Sequence, residues 1–200
     1  MNKWILKFEQ KDAKAPWELF YKDAAVTVYR KFKQGTTYKY RTFATIPSAP
    51  TNYFAFYKDL EHWRKWDENV EEITILESKD NEDVVYWSVK FPFPLSSRDY
   101  IYKRFSMYYE SHKMYVLTST VCVHEAKKPT SKRVRVTTYK MLQLFRETPD
   151  GKCELVMDTL DDPQVALPGW VLSWVTKTAI PKFITRLTTE CQNYTKLTNK

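Results

Sequence analysis

The stretch Trp87-Ser-Val-Lys-Phe-Pro-Phe-Pro-Leu-Ser-Ser-Arg-Asp-Tyr100 decides how the rest of the chain is read. It begins in a strand pattern. Val85, Trp87, Val89 and Phe91 share one side of a period-two alternation, and Val84, Tyr86, Ser88 and Lys90 share the other. Pro92 and Pro94 then end the strand, because neither has the N–H that a ladder bond requires. Arg98-Asp99-Tyr100 opens the next strand. The break hands the chain from one strand to its neighbour and brings Trp87 and Tyr100 within reach of one pocket. Two converging aromatics make either ordinary core or a binding wall, and composition alone favours core.

Working outward, residues 1–16 read as an N-terminal arm or short helix, and 17–200 as one domain. Strands are expected at about 17–22, 25–32 and 37–46, with Gly35 in the turn between the second and third. A helix follows over about 49–65, with Ser48 as its cap and Pro50 in its first turn. Tyr53, Phe56, Tyr57, Leu60 and Trp63 give that helix one apolar face. Strands resume at about 70–77, 83–91, 98–109, 114–124, 132–146 and 153–160. In the strand over 132–146, Arg133, Arg135, Thr137, Tyr139, Met141, Gln143 and Phe145 share a face opposite Val134, Val136, Leu142 and Leu144.

A final helix spans about 168–195. Ile180, Phe183, Ile184, Leu187, Cys191 and Tyr194 form its apolar stripe, while Trp170 to Val175 are apolar nearly all round. Pro181 removes one hydrogen bond from its interior and should bend it. Long antiparallel strands closed by one C-terminal helix give an α+β class: a curved sheet gripping a helix, with a concave side that either fills itself or encloses a ligand.

Composition narrows the function. The 200 residues hold only 3 glycines, which excludes a dinucleotide fingerprint and a phosphate-cradling loop. Cys122, Cys153 and Cys191 lie far apart, as do His62, His112 and His124, so neither a disulfide frame nor a metal cluster is expected. The net charge of +8 suits an anionic partner, either nucleic acid or an acidic lipid surface. Trp4-Ile5-Leu6 is too short for a secretory signal, and no segment could span a bilayer, so a cytoplasmic location is expected.

One set of motifs in order along the chain resembles a known family. Trp66-Asp67, Val84-Val85-Tyr86-Trp87, Phe91-Pro92-Phe93-Pro94, Ser97-Arg98-Asp99-Tyr100-Ile101-Tyr102, Tyr139-Lys140, Asp161-Asp162-Pro163, Pro168-Gly169-Trp170 and Cys191-Gln192-Asn193-Tyr194 are similar to those of START lipid-transfer domains, from about Trp17 to Tyr194. The resemblance implies a helix-grip fold with one lipid in an internal tunnel. The C-terminal helix and an omega loop at about His124–Lys132 would form the gate.

In the phosphatidylcholine-carrying branch of that family three aromatics surround the choline. Their positions here are Trp87, Tyr100 and Tyr139. A quaternary ammonium has no N–H to donate, so ring faces hold it best, at roughly 0.5–2 kcal/mol each. Met141, Gln143, Ile180, Phe183 and Leu187 would line the tunnel, and Trp170, Val171 and Trp174 would meet the membrane.

Two positions depart from the pattern. Trp63 stands where the branch has its phosphate-contacting arginine, and Arg64 follows one residue later, a helical rotation of about 100°. Arg64 would reach the phosphate only if the helix end shifted. Met141 replaces an expected glutamine.

The expected function is a non-enzymatic intracellular carrier of one phospholipid, phosphatidylcholine by the resemblance. It would need no cofactor and would act as a monomer that touches membranes transiently. Phosphatidylethanolamine, ceramide or a sterol are alternative cargoes. A hydrolase on this fold would need an acid–base pair, for which the adjacent Asp161-Asp162 is poorly spaced. Binding of nucleic acid is not expected, because no ribonucleoprotein aromatic motif is present.

Overall fold

The computed structural model describes residues 16–35, 37–162, 164 and 168–198, and the described side chains exclude 172, 174–176 and 195–198. Ten strands form one sheet: β1 (Glu18–Lys22), β2 (Val26–Gln34), β3 (Thr37–Ile46), β4 (Val70–Lys79), β5 (Glu82–Val89), β6 (Arg98–Tyr109), β7 (Met114–Val121), β8 (Val134–Arg135), β9 (Tyr139–Glu147) and β10 (Cys153–Asp161). Their order is β1-β2-β3-β10-β9-β7-β6-β5-β4, and β8 pairs with β6 off that path. Pairing is antiparallel except for β8, which runs parallel to β6. Two hairpin turns place glycine where φ is positive, Gly35 between β2 and β3 and Gly151 between β9 and β10, a conformation costly for any residue with a Cβ.

Register fixes which side chains face inward. Val28 lies opposite Thr42, Thr42 opposite Met157, Met157 opposite Gln143, and Gln143 opposite Leu117. Directly opposed residues point the same way, so one continuous inner face runs across five strands. Trp87 lies opposite Tyr100, as the short break between their strands requires.

Helices α1 (Pro50–Lys58), α2 (Leu60–Trp66), α3 (Gly169–Trp174) and α4 (Ile180–Thr198) complete the chain, with a π-helical turn at Val175–Ala179 between the last two. Phe56, Trp66, Leu117, Phe145 and Cys191 join α1, α2, the sheet and α4 in one buried cluster. The outer face has its own smaller cluster of Met114, Val116, Leu144 and Val156. There Arg41 forms a two-pronged pair with Asp158, at 2.6 and 2.9 Å, under the Trp17 ring.

Several expectations are corrected. The helix expected over 49–65 is two helices, because Asp59 leaves helical geometry (φ −81°, ψ 87°) and caps α2 by accepting from the His62 N–H at 2.9 Å. Ser48 is not a cap; Ala49 holds that position, and the buried Ser48 Oγ has no partner among the described residues. The strand expected over 132–146 is also interrupted. β8 leaves to pair with β6, and the irregular link 136–138 lets Val136 join the cluster containing Tyr139, on the side strict alternation would deny it. Near Pro181, which lacks the donor for residue 177, the helix passes through the π-helical turn before resuming as α4. The arm expected at 1–16 lies outside the described residues apart from Pro16.

Candidate functional site

The inner face and the helices enclose a cavity of about 580 Å³ with a mainly apolar lining. Alternation delivers its walls: Leu155, Met157, Thr159 and Asp161 from β10, and Tyr139, Met141 and Gln143 from β9. Tyr57 and Trp63 close one side from α1 and α2, and Ile180, Phe183 and Leu187 close another from α4. Met141, Gln143, Ile180, Phe183 and Leu187 therefore all meet the lumen.

Trp87, Tyr100 and Tyr139 converge. Trp87 stacks on Tyr100 at 4.9 Å and 29°, and Tyr139 meets Tyr100 edge-on at 5.4 Å. Trp87 and Tyr139 face the cavity, whereas Tyr100 is packed within the wall. The Tyr100 hydroxyl donates to Asp161 at 3.1 Å. Burial drives the Tyr139 and Tyr100 phenols up, so both stay neutral donors.

Among the described lining residues the charge-bearing side chains are Arg104 and Asp161. Arg104 is 1% exposed and already committed. Its Nε and Nη2 donate to Asp83 Oδ2 at 3.1 and 2.7 Å, and its Nη1 donates to the Tyr57 carbonyl at 3.2 Å. Burial pushes the Asp83 carboxyl up, but hydrogen bonds from Arg104 and Ser78 outweigh it and hold the group below its usual value. Asp161 instead accepts from the neutral Tyr100 hydroxyl, and burial, first of all, lifts its carboxyl to about 7. Sequence reasoning met Asp161 as part of a family motif and as half of an unsuitable acid–base pair, and gave it no place in the site. Its placement in step with Leu155, Met157 and Thr159 was the signal that it faces inward.

Four of the lining's other residues, Tyr53, Tyr57, Met141 and Gln143, are tied to one another. Gln143 accepts from Tyr53 at 2.9 Å, and its amide reaches the Met141 sulfur at 3.3 Å, as does the Tyr57 hydroxyl at 3.5 Å. Met141 thus offers a weak acceptor where a glutamine would add donors.

Three placements differ from expectation, and a fourth lies outside the described side chains. Arg64 is exposed and does not line the cavity; the single-residue rotation turns it outward and presents Trp63 instead. Val171 is 2% exposed and packed, so of the expected membrane-facing residues it is not presented, while Trp170 is 51% exposed. Trp174 falls in α3, with its side chain outside the described set. The loop at His124–Lys132 contributes no described residue to the lining. Its Lys127 reaches Glu72 at 2.5 Å and covers Tyr86 at 4.4 Å on the outer face.

Comparison with known proteins agrees with this architecture. The rat phosphatidylcholine transfer protein is 35% identical over 191 residues, covering 92% of this chain and 87% of the relative. The human phosphatidylcholine transfer protein is 32% identical, covering 93% and 88%. Human STARD10 superposes with a TM-score of 0.81 at 24% identity, covering 98% of this chain and 80% of that one. Human StAR-related lipid transfer protein 5 does so at 0.75 and 20% identity, covering 99% and 94%. The START domain profile matches residues 8–197. A sheet wrapped on a C-terminal helix around an apolar lumen, relatives that share a third of its residues, and a profile spanning nearly its whole length place this chain in the START domain family.

Proposed function

We propose that this protein binds one phospholipid, with phosphatidylcholine as its favoured cargo, and carries it between membranes without altering it. The observation that carries this reading is the apolar cavity walled on one side by Trp87 and Tyr139 with Tyr100 against both. Two acyl chains hold on the order of 30 methylenes, each costing about 0.8 kcal/mol in water. A protein lumen replaces membrane hydrocarbon and leaves extraction nearly balanced.

The cavity must widen to take this cargo. At about 30 Å³ per non-hydrogen atom, a two-chain phospholipid needs on the order of 1,000 Å³ or more. Seating a trimethylammonium also separates Trp87 from Tyr100. A stacked aromatic pair is worth about 0.5–1.5 kcal/mol, which one desolvated cation–π contact of up to about 2 kcal/mol offsets.

Membrane contact falls at one end of the sheet. β5, β7 and β10 run parallel to one another in the sheet order, so their C-terminal ends lie together. Phe93 follows β5 at 93% exposed, Val123 follows β7 at 89%, and Trp170 follows β10. Exposed Lys90, Lys128 and Lys132 occupy the same connections, and each adds about 1 kcal/mol of attraction to an anionic leaflet. Among the described residues no helix is long and apolar enough to cross a membrane. In this reading the protein is a cytoplasmic monomer that visits membranes transiently.

No cofactor is needed, and nucleic acid is not a partner. Catalysis has no support in Asp161 and Asp162. The Asp162 carboxylate turns away to accept from the Gln164 N–H at 2.9 Å, leaving no paired acid and base. Incubation with mixed vesicles, followed by native mass spectrometry and lipid extraction, tests the reading. Phosphatidylcholine should be retained intact, and Trp87→Ala with Tyr139→Ala should remove the preference for it. Unchanged choline-lipid retention in that double variant would refute the aromatic site.

A further inference from the structure

We propose that Asp161 is the anionic side of the headgroup site, facing the ammonium of the bound lipid and making the cavity select cationic headgroups over uncharged ones. This rests on the carrier reading above and adds a residue and a proton to it.

The geometry supplies the argument. Asp161 is the last residue of β10 and lies opposite Tyr139 in register, so its side chain points to the same face as that ring. It lines the same cavity as Trp87 and Tyr139. Tyr100, the ring between those two, donates its hydroxyl to the Asp161 carboxylate. One carboxylate and the aromatic group therefore share one end of the lumen. The other charged lining residue, Arg104, is neutralised by Asp83, and Arg64 points outward. Among the described residues the lining thus holds a carboxylate beside the rings, hydrogen-bonded to the neutral Tyr100 hydroxyl, and no cation left to pair with a phosphate. A cation is what such a place recognises, and a carboxylate gives it both charge and an acceptor that ring faces lack.

The groups facing Asp161 set its protonation. Burial raises it most, the Tyr100 hydrogen bond lowers it, neighbouring Asp162 raises it and Arg98 on β6 lowers it, leaving it near about 7. Tyr139 on β9 and Tyr40 on β3 face it as neutral phenols. Ala179 at the end of the π-helical turn, and Ile180, Phe183, Ile184, Leu187 and Thr188 from α4, bring no ionisable group to the lumen.

In the empty protein Asp161 is therefore partly protonated near neutral pH. A bound ammonium stabilises the carboxylate, so loading expels a proton. Affinity for an ammonium lipid then rises with pH up to the empty-state value and levels off above it. An acidic membrane surface would loosen the headgroup at the point of delivery.

The test is a competition. The full chain is equilibrated with vesicles holding equal phosphatidylcholine, phosphatidylethanolamine and phosphatidylglycerol, and the retained lipids are counted by native mass spectrometry. The ratio of choline to glycerol lipid should be about tenfold higher near pH 8 than near pH 5.5. Asp161→Asn should hold that ratio low at both values, and Asp161→Glu should keep its rise.

An ethanolamine response parallel to choline would identify charge as what the site reads. A response confined to choline would identify the methylated cation, and either supports Asp161. A wild-type ratio that ignores pH overturns the proposal even if the Asn variant fails to fold, and so does an Asn variant that behaves as wild type. If Trp87→Ala with Tyr139→Ala abolishes the choline preference while Asp161→Asn does not, the aromatic reading survives and this one fails. If wild type retains no ammonium lipid at either pH, the carrier reading has failed first.

Discussion

The cavity has two unlike walls. The sheet wall is locked residue by residue. β10 pairs with β3 and with β9 over its whole length, and Phe145, Leu117, Gln143 and Arg104 within the wall are almost completely buried. Toward the start of α4 the helix wall is held by less. Phe183 lines the lumen yet remains 39% exposed, and Lys182 and Arg186 attach α4 to Glu68 through ion pairs at the surface. Exposed pairs of this kind contribute little to stability and weaken further with salt. The difference teaches which wall costs less to open. Opening by the sheet would break a ladder, whereas opening by the helix exchanges a few apolar contacts for the same contacts with lipid.

The sharpest break of that contrast is in the sheet wall. Phe145→Ala should lower stability by about 3–5 kcal/mol in urea unfolding, because Phe145 packs against Tyr53, Phe54 and Tyr115 with no exposure. A loss below about 1 kcal/mol would show the wall to be soft.

Next in size is a pH effect lodged in the same wall. The Asp161 carboxyl is raised in the folded protein to about 7, above its unfolded value. The unfolded chain therefore releases this proton first, and stability of the empty protein falls as pH rises between the two values. The Tm of the empty protein should decline from about pH 4 to about pH 7 more steeply than that of Asp161→Asn.

Smaller effects belong to the helix wall. Phe183→Ala should cost less than about 1.5 kcal/mol, since the ring is already part exposed, while vesicle-to-vesicle transfer speeds up several-fold. If instead it matched Phe145→Ala in stability, the two walls would not differ as described. Least of all, Glu68→Gln should leave the unfolding midpoint unchanged and raise the transfer rate slightly at low salt, with the difference vanishing at high salt.

What could be read from the chain beforehand followed the same division. The sheet was legible because alternation is local: the strand over 98–109 has those bounds, and inward positions on β9 and β10 follow from parity. Interruptions were less legible. Asp59 breaks a continuous apolar helix pattern because its carboxylate is worth more as a cap, and its partners His62 and Tyr194 come from two different helices. The link 136–138 flips the face of Val136 because β8 is drawn to β6, a pairing that no local pattern encodes.

In the site, the aromatic positions came from family resemblance, and the structure brings them together. Arg64 was misplaced because one residue on a helix decides inside from outside. Asp161 went unvalued because its chemistry depends on what surrounds it rather than on its neighbour in sequence.

Asp59 also bears on how the lumen opens. It ends α1, caps α2 and receives the Tyr194 hydroxyl at 3.2 Å, and one turn before it in α4 the Cys191 side chain is fully buried. That end of α4 is a fulcrum. The opposite end, toward α3 and the exposed Trp170, is the free arm, and it continues from the segment that follows Asp161. Under the proposed function, a lever pinned in this way would swing widest above the polar end of the cargo, so the headgroup would leave first and the acyl tails would trail out behind it.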